Sequence, residues 1–179
     1  MKLYHYITKG NTALTEGILS ISKNKNANLQ YYYKRSGETT HEGVINWMEG
    51  CFQGRSRGIR GFSEPIKWTK NSLSLKDFID NADMFSIDLD ALSQDGLLEA
   101  VYVSPAIPVN PDVTAQRGVG VTDVDEVLIK LNSYKDISQE PVDWSVCNDE
   151  MGRRFAFVPY YLIIIKGGII PPKYITKEN

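Results

Sequence analysis

The chain has 179 residues, 42% hydrophobic and 23% charged, with 20 Lys+Arg against 22 Asp+Glu and a net charge of -2. That length suits one domain over residues 1–179, the composition excludes a disordered chain, and the charge balance gives no global field for nucleic acid or an anionic membrane. Two cysteines, Cys51 and Cys147, do not make a disulfide scaffold. The longest apolar run, Tyr160 to Ile165, is far short of the ~20 residues that span a bilayer. No apolar signal region opens the chain, so the expected setting is a cytosol, including the cytosol of a target cell that receives a secreted effector.

Leu3 to Ile7 reads as a strand. Thr12 to Ser20 reads as a short helix, with Leu14, Gly17, Ile18 and Ile21 on one face and Thr12 as its N-cap. Leu29 to Tyr33 reads as a second strand. The clearest helix covers Thr40 to Phe52, where Val44, Trp47, Met48, Cys51 and Phe52 form one apolar stripe and Thr39 and Glu42 have capping-box spacing. A basic, glycine-rich turn, Gly54 to Gly58, leads into an extended stretch from Ile59 to Ile66. A short helix is expected over Ser74 to Asn81, then strands over Met84 to Leu89 and Leu97 to Val103, with a turn or single helical turn between them. Ser104 to Val121, rich in proline and glycine, reads as a long loop and Asp123 to Leu131 as a helix. Phe155 to Val158 and Tyr160 to Ile165 complete the strand runs, before a turn at Lys166-Gly167-Gly168. Strands and helices interleave without βαβ spacing, so the expected fold is α+β, with a mixed or antiparallel sheet and a few packed helices.

The chain has no phosphate loop and no dinucleotide fingerprint. His5, His41, Cys51 and Cys147 are the whole His/Cys supply, without paired short spacing, so no metal centre is expected. Alternation puts His5 on the face of Leu3 and Ile7, away from Tyr4 and Tyr6. It reads either as a satisfied core residue or as a ligand-binding one.

The opening Leu3-Tyr4-His5-Tyr6-Ile7-Thr8, followed by Leu14-Thr15-Glu16-Gly17-Ile18-Leu19, resembles the start of ADP-ribosyltransferase-like bacterial toxins and effectors of the diphtheria-toxin type. The likeness covers about the first 20 residues, with fainter echoes at Gly58 to Pro65 and Ile170 to Ile175. It implies an NAD-dependent ADP-ribosyltransferase acting on a protein or nucleic-acid acceptor. His5 would hold a ribose hydroxyl, Tyr6 would line the cofactor site, and a tyrosine from Tyr31, Tyr32 or Tyr33 would stack on nicotinamide. A late glutamate would assist glycosidic cleavage through an oxocarbenium-like state, which a carboxylate stabilises. No Glu-X-Glu pair marks that acid, and Glu150 is chosen by chain order. Arg55, Arg57 and Arg60 offer charge-assisted forks to a pyrophosphate, with Arg60 taken as the binding residue; Arg153 and Arg154 are similar in kind.

Two rival readings stay open. A cysteine hydrolase would need Cys147 or Cys51 beside His5 or His41. A non-enzymatic binding protein, such as an immunity protein or adaptor, would need no constellation at all.

Overall fold

A computed structural model describes residues 1–27, 29–51, 55–67, 79–105, 128–146 and 158–178. The fold is α+β and its strand pairings are antiparallel. In chain order the elements are β1 (Lys2–Thr8), α1 (Ala13–Glu16), β2 (Ile18–Leu19), α2 (Gln30–Ser36), α3 (His41–Cys51), β3 (Gly58–Gly61), β4 (Ala82–Asp88), α4 (Leu89–Gln94), β5 (Leu98–Ser104), β6 (Ile129–Lys130), β7 (Tyr160–Ile165), β8 (Ile169–Ile170) and β9 (Ile175–Glu178). One sheet has the order β1-β4-β9 and a second the order β3-β7-β5-β6, while β2 and β8 form a small pair.

The two larger sheets share one core. Leu3, Phe85 and Ile87 come to it from the first, and Ile59, Val101, Tyr161, Ile163 and Ile165 from the second. Strand period explains the selection, because alternate side chains of β1, β4 and β7 point to one face. Leu89 and Leu92 of α4 and Ile170 of β8 are fully buried in the same cluster. Burial of each such Leu, Ile or Phe contributes about 1.5–3 kcal/mol. On the opposite face of β7 and β3 a second cluster forms from Phe62, Ile66, Trp144, Val158 and Tyr160, with Tyr6 against it.

Several expected elements differ from those observed. Leu29 to Tyr33 is not a strand: Gln30–Ser36 is helical and closes on Gly37 at φ 74. Leu29, Tyr32 and Tyr33 join Val44 and Met48 in a helix–helix cluster, so burial against α3 overrides the strand preference of consecutive tyrosines. In α3, Val44 and Met48 are fully buried and Trp47 is partly so, while Phe52 lies outside the described residues. Thr40 holds the amide of Gly43 at 3.0 Å, a cap one residue later than the expected Thr39. Thr12 caps nothing with its side chain; Asn11 accepts from the Ala13 amide instead, at 3.1 Å. The expected helix through Leu131 ends otherwise, since Ile129–Lys130 pairs with β5; residues 123–127 lie outside the described residues. So do most of the Ser74–Asn81 helix and of the long loop, and the strand expected over Phe155 to Val158 up to residue 157.

α4 follows its local signals. Asp88 caps its start by accepting from the Ala91 amide at 3.1 Å, and Gly96 at φ 67 ends it.

Candidate functional site

Among the described residues, the backbones of the two larger sheets pair at one rung. Tyr4 of β1 and Phe62, just past β3, exchange both backbone hydrogen bonds, at 2.8 and 2.9 Å. In an antiparallel ladder the next such pair lies two residues along, here Tyr6 opposite Arg60. Sheet pairing between β1 and β3 stops before it. The Arg60 carbonyl instead accepts from Nδ1 of His5 at 2.6 Å. A side chain takes the place of a ladder bond, and the two strands part like the limbs of a fork with His5 at the crotch.

That bond fixes the chemistry of the imidazole. A carbonyl oxygen can only accept, so Nδ1 carries the proton and Nε2 is left with a lone pair. Burial of the ring outweighs the favourable Arg60 carbonyl and, with the Arg60 charge also opposing protonation, lowers the His5 pKa to about 4. The ring is therefore neutral at neutral pH. The residue as a whole keeps partial exposure. A neutral, oriented nitrogen acceptor suits a ligand that offers a hydroxyl or an N–H.

Arg60 and Tyr6 occupy the other face of the fork. The Arg60 guanidinium lies over the Tyr160 ring at 4.3 Å from its centroid. Tyr6 packs edge-on to Phe62, with centroids 6.4 Å apart, and Phe62 packs edge-on to Trp144 at 5.7 Å. The Tyr6 hydroxyl accepts from the Ile66 amide at 2.8 Å and donates to the Met84 sulfur at 3.0 Å. Strand alternation thus separates the His5 side chain from those of Arg60 and Tyr6.

Glu64 secures this second face. Its Oε1 accepts from the Trp144 indole at 2.8 Å and the Val142 amide at 3.1 Å, and Oε2 from Lys67 at 3.3 Å. Burial would raise its pKa, but the bonds from Trp144, Lys67 and Val142 together hold it below the usual carboxylate range. Sequence reading passed over Glu64, and its position before Pro65 in an extended stretch carries no signal for partners some 80 residues away.

The remaining residues singled out in the sequence divide clearly. Tyr32 and Tyr33 lie on α2 in the helix–helix cluster, and the side chain of Tyr31 lies outside the described set. Glu150, Cys147, Arg153 and Arg154 lie outside the described residues, as does the side chain of Arg55. Arg57 is exposed and pairs with Glu49 at 3.5 Å. His41 and Cys51 are the first and last residues of α3, ten residues and ~15 Å apart at helical rise, so they cannot form a thiol–imidazole pair. Among the described residues no group of His, Cys, Asp and Glu could hold a metal ion, and no helix is long and apolar enough to cross a membrane.

The chain was compared with protein-family models, curated proteins and solved structures. It matches none of them.

Proposed function

We propose that the chain is an ADP-ribosyltransferase-like protein that binds NAD in the fork between β1 and β3 and acts on a macromolecular acceptor. One observation carries the reading: His5, the residue the opening motif singles out, is a neutral imidazole whose Nδ1 is tied to the Arg60 carbonyl while Nε2 keeps its lone pair. A ribose hydroxyl is a matching donor. Arg60, whose guanidinium rests on Tyr160, is a cation suited to a pyrophosphate on the far side of the gap.

The reaction cleaves the nicotinamide–ribose bond. Nicotinamide leaves with the bonding pair, the ribose carbon bonds to an acceptor heteroatom, and that atom gives up its proton. Within this reading His5 orients the ribose and Glu150 supplies the carboxylate that favours the charged transition state. The rival binding-protein reading needs neither the fork nor turnover.

Incubation with NAD labelled on the adenylate half, with a cell lysate as acceptor source, tests the proposal. Free nicotinamide and label on macromolecules are expected from the native chain. His5→Ala should weaken NAD binding at least tenfold, and Glu150→Gln should cut turnover by ~100-fold with binding little changed. A chain that neither hydrolyses nor binds NAD would remove this reading and favour the non-enzymatic binding protein.

A further inference from the structure

Three turns converge at the end of the second sheet away from the fork. Gly58 pairs with Ile164, so the turn at Arg55–Arg57 that precedes β3 and the turn at Lys166–Gly168 that follows β7 leave the same end of the sheet. The Ser22 amide donates to the Ser56 carbonyl at 2.8 Å, and the Ser20 amide to the Gly168 carbonyl at 2.9 Å. The Lys23 stem runs along Gly168, where a Cβ would stand 3.1 Å from its Cγ. Ser20 and Ser56 are fully buried beneath the junction. Above it Lys23, Lys25, Arg57 and Lys166 are all exposed. Glu49, bonded to the Ser56 hydroxyl and to Arg57, offsets one of these charges. The sequence disperses these cations over nearly 150 positions, and the fold gathers them.

We propose that this junction docks a single strand of nucleic acid through its phosphates. Four cations spread over three turns form a track rather than a pocket, which fits a repeating row of single charges. The chain's net charge of -2 argues against a flat anionic bilayer, which would meet acidic parts of the surface as well. A strand contacts the patch alone, because screening confines each contact to about 8 Å at physiological salt. Arg57 immediately precedes β3, on which Arg60 lies, so a docked strand would run toward the fork. That alignment rests on the NAD reading; the docking itself does not.

The test is fluorescence anisotropy of a labelled 20-nucleotide single strand, DNA and RNA, with the full chain and no NAD. Binding is expected, with log affinity falling against log salt at a slope of about −3 for four phosphate contacts. The double variant K23E/K166E should bind at least tenfold more weakly, with a slope nearer −1, while K135E, in the separate turn at Tyr134–Asp136, should match the native chain. Melting curves check that the exposed substitutions leave the fold intact, and K23Q/K166Q repeats the measurement without reversed charge. No binding at low salt, equal loss in K135E, or tighter binding to vesicles rich in phosphatidylserine would each overturn the proposal. Nicotinamide release is read separately, so failure of the docking surface and failure of the NAD site are distinguishable.

Discussion

His5 is the residue at which local pattern and tertiary placement meet. Its folded-state pKa of about 4 lies below the ordinary 6.5, so between these values the unfolded chain binds a proton that the folded one does not. Stability is full above pH 6.5 and falls as pH drops through that window, by at most about 3 kcal/mol at about 1.4 kcal/mol per unit. Nitrogen-detected NMR of the imidazole should show Nδ1 protonated, as its bond to the Arg60 carbonyl requires, and a titration midpoint near pH 4; a midpoint near 6.5 would mean the ring is not buried. Strand character and alternation were legible from Leu3 to Ile7. Its partner was not, because a backbone carbonyl 55 residues away leaves no mark on composition or spacing.

Among the elements, the β2–β8 pair shows why certain glycines are required. Gly17 has φ +88, and a Cβ there would stand 2.3 Å from the Ile170 carbonyl oxygen, a backbone atom that cannot swing aside. Gly10 has φ +80 but open space around it. Gly10→Ala should therefore cost only the backbone conformation, on the order of 1–3 kcal/mol. Gly17→Ala should cost distinctly more and part β2 from β8, and equal melting midpoints for the two variants would contradict this. The same contrast marks what sequence could tell of the elements. α3 was readable from its apolar periodicity and β7 from its continuous apolar run. α2 was misread because three tyrosines in a row favour a strand until Leu29, Val44 and Met48 supply a helical partner. Ile129–Lys130 belongs to β5 through pairing alone, which two residues cannot signal.

Across the whole molecule, tyrosine hydroxyls tie distant segments together. Tyr6 accepts from the Ile66 amide, Tyr161 from the Ser138 amide at 3.1 Å, Tyr134 donates to Asp90 at 2.8 Å and Tyr174 to Asp95 at 2.5 Å. Asp90 lies in the first turn of α4 and Asp95 just past its last residue, so two of these ties fasten its ends. Burial raises the pKa of Tyr6 and Tyr161, and the bond to Asp90 raises that of Tyr134. Raised folded values mean that their contribution is complete below pH 10 and is lost as pH climbs through the folded pKa. An alkaline titration followed by phenolate absorbance should show these three ionising late, together with loss of the fold. Smooth ionisation of all ten tyrosines near pH 10 would show the ties to be absent.

The lone rung between the sheets also sets how the molecule breathes. Most β strands here are locked to a neighbour by runs of rungs, as β1 and β4 are over seven residue pairs. The backbone pairing of Tyr4 with Phe62 is a single rung of two hydrogen bonds, flanked by the side-chain bonds of His5 to the Arg60 carbonyl and of the Ile66 amide to Tyr6. In deuterated water the amides of Tyr4 and Phe62 should exchange together through a small local opening, well before the amides of Phe85 and Ile163 deep in the paired strands. A ligand seated in the fork would slow that pair selectively, giving a label-free signal of occupancy at the backbone itself.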